Sequence, residues 1–204
     1  MKILNLYAGI GGNRKLWEGH EVTAVEYEPY IAEEYARQFP EDTVVVGDAH
    51  QYLLDHYEEF DFIWASPPCP THSRLNHSYK NDWKKHLLKY PDMSLYQEII
   101  FLREFYKGKW VVENVEPYYP TLINPRVMLD RHLFWSNFSI PKDSFARLYE
   151  GQMAAATIQE LSDAFGLPIP PQNARKLLRN AVDPRLGEHI LKAALKKTEQ
   201  GVLL

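Results

Sequence analysis

Hydrophobic residues fall in short blocks along this chain, and the period changes from block to block. "KILNLYAG" is an apolar run ending in glycine, which predicts a buried strand and its turn. "EVTAVEY" predicts a second strand, the β-branched "DTVVVGDAH" a third closed by Gly47, and "FDFIWAS" a fourth. "KWVVENV" reads as a fifth strand and "RHLFWSNFSI" as another. Between them the period lengthens. "PYIAEEYARQF" opens on proline and spaces Ile31, Ala32, Tyr35, Ala36 and Phe39 at helical intervals. "SLYQEIIFLREFY" reads as a second helix. Strands alternating with helices predict an α/β fold, a mostly parallel sheet with helices on both faces. The site is then expected in loops beyond the strand carboxyl ends.

The last third follows other rules. "TIQELSDAFG" starts with a capping-box pattern, Thr157 with Glu160, and ends at Gly166. "LPIPPQ" is a proline-rich link before two helical segments, "NARKLLRNAV" and "DPRLGEHILKAALKK". In the second, Asp183 can cap, Pro184 suits the first turn, and Leu186, Ile190, Leu191, Ala194 and Leu195 form an apolar stripe. The expected organisation is a core at 1–138, a small insertion or lobe at 139–178, and a C-terminal segment at 179–204 folding back on the core.

Composition narrows the class. At 204 residues and 45% hydrophobic, the chain suits one domain with a proper core. A single cysteine excludes an internal disulfide framework and suits a reducing compartment. No apolar run approaches the roughly 18 residues of a spanning helix, and "MKILNLYAGIGG" lacks the shape of a signal peptide. A cytoplasmic protein without a membrane partner is expected. The net charge of −4 argues mildly against an extended nucleic-acid surface but leaves a local patch open.

The candidate chemistry sits at the predicted strand ends. Gly9, Gly11 and Gly12 follow the first strand and precede an expected helix; glycines there let backbone approach a ligand, though a tight strand-to-helix turn explains them equally well. Glu26 ends the second strand, placed to accept hydrogen bonds from ribose hydroxyls, and Asp48 after the third could hold an adenine amino group. Taken singly, either acid could be solvated or capping. Three features after three successive strands point together to a nucleoside.

Cys69 lies past the fourth strand, between Pro68 and Pro70. Most free cysteines are small buried hydrophobes. This one lies in a proline turn beyond the apolar run, where both prolines restrict the backbone. It has no companion cysteines at ligand spacing, so no metal site is expected. A nucleophile needs an acid or base partner, and Glu113 with Asn114 closes the fifth strand. Partial burial there would let Glu113 donate a proton to a ring nitrogen. Both residues could instead bind loop backbone, the reading preferred for Asn114.

These motifs, in this order, resemble the cytosine-5 DNA methyltransferases: "LYAGIGG", Glu26, Asp48, "PPCPTHS", "ENV", the arginine of "DRHLFW" and "RNAVDPRLGEHIL". The resemblance covers nearly the whole chain except about 139 to 178. It implies a Rossmann-like class I fold and S-adenosylmethionine as cofactor. It implies that Cys69 adds to cytosine C6, that Glu113 engages N3 and the exocyclic amine, and that Arg131 reaches O2. It further implies that Tyr7 packs on the adenine, that Gly9, Gly11 and Gly12 line the methionine part, and that Asn180 returns to the cofactor pocket. Tyr7 and Asn180 could equally be a core residue and a helix cap, and Arg131 a surface or phosphate-contacting arginine. Pro68, Ser73, Arg74, Lys84, Lys85 and Asn114 stand as substrate-side candidates.

Three motif positions depart from the family. Pro70 stands where it has glutamine, Leu129 replaces the first of two arginines, and Arg179 precedes Asn180 in place of glycine. None removes a residue the chemistry requires. The larger departure is the segment at 139–178, far shorter than the family's target-recognition region and with few basic residues, Lys142, Arg147 and Arg175. So small a segment can hardly read a long sequence, and specificity is expected to be short, weak or supplied by a protein partner. The stretch after Cys69 interleaves Arg74, Lys80, Lys84, Lys85 and Lys89 with His72, Tyr79, Trp83 and Tyr90, a composition suited to phosphate contact and base stacking. A solvated amphipathic helix explains 82–90 as well.

The expected activity is therefore DNA cytosine-5 methylation on duplex or single-stranded DNA. The same chemistry on RNA or a free cytosine nucleotide is the first alternative. A partner-dependent pseudo-methyltransferase is a second, against which intact Cys69 and Glu113 speak. A nicotinamide dehydrogenase is disfavoured because "YAGIGG" lacks the full phosphate fingerprint.

Overall fold

In a computed structural model of the chain, residues 1–74, 90–143, 156–170 and 174–196 are described. Strand β1 (Lys2–Leu6) lies inside a seven-stranded sheet and buries four residues in a row, Ile3 to Leu6. Continuous burial marks a strand covered on both faces. Beside it run β2 (Glu21–Glu26) and β4 (Phe62–Ala65), flanked by β3 (Thr43–Val46) and β5 (Lys109–Val115). All these pairings are parallel. β6 (Val127–Leu129) and β7 (His132–Ser136) extend the edge, giving the order β3-β2-β1-β4-β5-β7-β6 with β7 antiparallel to both neighbours. This is the Rossmann-like class I methyltransferase sheet that the motif order implies.

Alternation along each strand divides the core. Leu4, Leu6, Ile63, Ala65 and Val112 face α2 (Ala49–His56) and α3 (Ser94–Phe105), meeting Leu53, Leu95, Ile99 and Leu102. Ile3, Phe62, Trp64 and Phe134 face α6 (Pro184–Leu195), packing on Leu186, Ile190 and Leu191. Each such side chain contributes roughly 1.5–3 kcal/mol of transfer free energy, which keeps the C-terminal helix docked. A third cluster joins α1 (Pro29–Gln38), through Tyr35 and the following Phe39, to α4 (Ile158–Phe165) and α5 (Ala174–Asn180). Leu161, Phe165, Leu167, Ile169, Leu177 and Leu178 pack there with Ala8, Ile10 and Ala24. The described part of 139–178 thus contributes to the core beside the glycine loop.

Local chemistry accounts for several boundaries. Thr157 and Glu160 complete the capping box of α4, and Gly166 ends it in the left-handed region at φ 62°. Asp183 caps α6 through the Arg185 amide at 2.8 Å. One expectation fails: no helix follows the glycine loop. Successive turns run there instead, Arg14 N–H to the Gly11 carbonyl, Lys15 to Gly12 and Trp17 to Arg14. Tertiary contacts claim this segment. A Cβ on Gly187 of α6 would lie 2.0 Å from the Asn13 carbonyl oxygen, and the Asn13 side chain donates to Asn5 Oδ1 at 2.8 Å inside β1. Helix α2 and strand β6 are additions to the elements expected from the pattern.

Candidate active site

Because β1 to β5 run parallel, their carboxyl ends share one edge, and the loops beyond them assemble there. Tyr7 leaves β1 with φ 56°, a left-handed conformation that costs a non-glycine residue about 1–2 kcal/mol. Gly9 follows at φ 55°, with nothing within 4 Å of where a Cβ would sit. Its N–H donates to Glu26 Oε2 at 2.9 Å, and Glu28 N–H to Oε1 at 3.0 Å. Glu26 is thus buried yet held at the open edge beside the glycine loop. Gly11 and Gly12 serve protein contacts: a Cβ on Gly11 would strike the Phe39 ring at 2.2 Å, and one on Gly12 the Val182 carbonyl at 2.4 Å. Asp48 is exposed and caps α2, accepting from Gln51 N–H at 2.8 Å. Asn180 is exposed at the last position of α5, two residues before Val182.

The second half of the edge carries the candidate chemistry. In register, Ala65 of β4 pairs with Val112 of β5, so Glu113 stands just beyond the end of β4. Cys69 follows four residues past Ala65, half-buried, and Glu113 is buried. Arg131 occupies the turn between β6 and β7, where Asp130 takes φ 51°. Burial raises the Cys69 thiol pKa, the Glu113 charge raises it further, and a backbone hydrogen bond and Arg131 oppose the rise. Glu113 and Arg131 each lie within electrostatic reach of the sulfur. Arg131 also donates to the Arg179 carbonyl at 3.1 Å, tying the turn to the end of α5.

The Cys69 loop is strapped down on both sides. Asn114 Nδ2 donates to the Pro67 carbonyl at 2.9 Å while its Oδ1 accepts from Val115 N–H, so its amide serves backbone. His72 N–H donates to the Cys69 carbonyl at 3.0 Å, and its ring Nδ1 lies 2.6 Å from the Tyr119 hydroxyl. Ser73 forms a bridge with Pro117, and Arg74 pairs with Glu116. The far side closes through Asp92 N–H to Thr71 Oγ1 at 3.0 Å. Pro68 is exposed at the turn. Beside Arg74 an open groove of about 460 Å³ is lined by Tyr118, Tyr119 and Pro125. Lys84 and Lys85 lie outside the described residues.

Two polar groups beside the site were not expected. His132 is buried on β7 with Nε2 3.7 Å from Glu113 Oε1; burial lowers its pKa, against the pull of the Glu113 charge. Its identity as the residue after Arg131 was visible, but its neighbour depends on strand pairing. Glu98, on the buried face of α3, accepts from the Tyr7 hydroxyl at 2.6 Å. A glutamate amid Leu95, Ile99 and Leu102 is the one sequence signal that could have singled it out.

The fold is that of the class I S-adenosylmethionine-dependent methyltransferases. More narrowly, the chain belongs to the C-5 cytosine-specific DNA methylase family, whose model matches residues 1–119. S-adenosylmethionine is the cofactor of that family, and cytosine methylation its chemistry. The residues present fit the cofactor: an open glycine backbone at Gly9, a buried carboxylate at Glu26 and an exposed one at Asp48.

Among solved structures, the chain is similar to one described as a DNA modification methyltransferase encoded within a prophage of E. coli. Identity is 19%, over 57% of this chain and 32% of that one, with TM-score 0.40. A mutant of Spodoptera frugiperda DNMT2 aligns at 25% identity over 59% and 37%, TM-score 0.42. A SAM-dependent methyltransferase from Agrobacterium tumefaciens aligns at 15% over 58% and 40%, TM-score 0.40. The chain spans less than half the length of these three, and a likeness at this level carries no functional weight. No curated protein sequence matches the chain. No described helix is long and apolar enough to cross a membrane.

Proposed function

We propose that the protein methylates C5 of cytosine in DNA through a covalent Cys69 adduct at C6. The observation that carries this reading is the meeting of Cys69, Glu113 and Arg131 at neighbouring strand ends, with both charges acting on the thiol. C5 of cytosine is a poor nucleophile. Bonding of Cys69 Sγ to C6 makes C5 enamine-like, while protonated Glu113 donates to N3 and takes up the charge developing in the ring. Arg131 would leave the Arg179 carbonyl for the cytosine O2. S-adenosylmethionine, held by Gly9, Glu26 and Asp48 with Tyr7 and Asn180 at its borders, supplies the methyl group that C5 takes up. Water then accepts the C5 proton, the Sγ–C6 bond breaks to return Cys69 as thiolate, and N3 gives its proton back to Glu113. Arg74, Lys84, Lys85 and the segment 139–178 would contact the polynucleotide.

Two features favour a second reading, the same chemistry on RNA or a free cytosine nucleotide: the net charge of −4 and the short 139–178 segment. The test is an oligonucleotide carrying 5-fluorocytosine, incubated with protein and S-adenosylmethionine. Fluorine replaces the proton that must leave, so a covalent protein–DNA adduct through Cys69 is expected by denaturing electrophoresis and mass spectrometry. Cys69→Ser should form no adduct and transfer no methyl, yet bind the cofactor nearly as well. Turnover by Cys69→Ser would overturn the nucleophile assignment.

A further inference from the structure

Three elements of the cofactor edge meet on one carboxylate oxygen that the reaction does not use. Glu98 of α3 is fully buried. Its Oε1 accepts from the Tyr7 hydroxyl at 2.6 Å and lies 3.1 Å from His50 Nδ1. Its Oε2 is buried with no hydrogen-bond partner among the described residues. Tyr7 stands two residues before Gly9, and His50 two residues after Asp48. The carboxyl thus ties α3 to both loops that flank the nucleoside site.

This arrangement is a poor one for stability alone. Position 98 lies on the apolar face of α3 among Leu95, Ile99 and Leu102, where leucine would bury without an orphaned oxygen. Tyr7, meanwhile, keeps an unfavourable left-handed backbone, which persists only where its surroundings hold it. The Glu98 hydrogen bond is a specific restraint on that residue. Local rules broken together at a ligand edge mark function more often than fold.

We infer that Glu98 is a positioning residue for the cofactor. It holds Tyr7 in its left-handed conformation and, through His50, the start of α2, so that the adenosine pocket exists before the ligand arrives. The inference rests on the nucleoside site assigned above. A carboxyl in this role acts through Tyr7 and Asp48 without touching the ligand.

The test is calorimetric titration of S-adenosylmethionine into the full chain and into Tyr7→Phe, Glu98→Leu, Glu98→Gln and the Tyr7→Phe/Glu98→Leu double variant. Removing the Tyr7–Glu98 hydrogen bond should weaken binding about tenfold, Glu98→Leu should lose somewhat more because it also frees His50, and the double variant should lose no more than Glu98→Leu alone. Glu98→Gln keeps an acceptor for the Tyr7 hydroxyl and should stay within about threefold of the parent protein. Thermal melts of each variant separate unfolding from lost binding, and Tyr7→Phe, which deletes one hydroxyl hydrogen bond without altering the core face of α3, keeps the test valid should Glu98→Leu misfold. Parent-like affinity in both Tyr7→Phe and Glu98→Leu, or losses that multiply in the double variant, would overturn the positioning role while leaving the cofactor site intact. A parent protein that does not bind S-adenosylmethionine would overturn both.

Discussion

Cys69 resists ionisation in the resting protein, because burial and the Glu113 carboxylate both oppose a thiolate. In the proposed mechanism Glu113 carries the proton for N3, and a neutral Glu113 would also remove one of those two penalties. The sign of the coupling can be measured. In Glu113→Gln the carboxylate's contribution to Cys69 disappears, the thiol pKa falls, and the midpoint of the alkylation rate against pH moves to lower pH. Methyl transfer should nonetheless drop by roughly 100- to 1,000-fold, since an amide cannot deliver the proton. Unchanged alkylation in that variant would mean that the carboxylate does not face the sulfur. His132, buried 3.7 Å from the same carboxylate, belongs to this group of charges and is expected to be neutral where burial dominates.

At the scale of elements, α6 does more than cover the sheet. Gly187 brings the helix against the backbone of Asn13, and Val182 brings its carbonyl against Gly12, so the C-terminal segment holds the glycine loop from behind. Gly187→Ala should therefore destabilise the fold by about 1–3 kcal/mol, although alanine is ordinarily the better helix former. Guanidinium denaturation measures this directly; a variant as stable as the parent would show that loop and helix can part cheaply. Cofactor binding should weaken with it, because the loop that Gly187 supports carries Gly9.

For the whole molecule, the balance of charge and size bears on substrate. A chain with net charge −4 gains less from phosphate contacts than a basic one, and flipping a cytosine out of duplex costs a few kcal/mol that an unpaired base does not require. Single-stranded DNA is accordingly expected to be methylated faster than duplex of the same sequence, with a shallow dependence on salt. Labelled methyl transfer to duplex DNA, single-stranded DNA, tRNA and dCMP measures this; preference for tRNA or dCMP would favour the second reading.

Read alone, the chain determines the alternation of strands and helices, the capped α4 and α6, and the residue types at each strand end. Those follow from local period and motif order, which act over a few residues. It does not determine the turns after Gly12, because a helix there is lost to Asn5, Val182 and Gly187, residues remote in sequence. It does not reveal that Asn114 holds Pro67, that Gly11 and Gly12 serve packing while Gly9 stays open, or that Glu98 meets Tyr7. Tyr7 and Glu98 lie 91 positions apart, Gly12 and Val182 still farther, and only the fold makes such partners neighbours. The chemistry of each group was legible in its letter; which other group answers it was decided by tertiary packing.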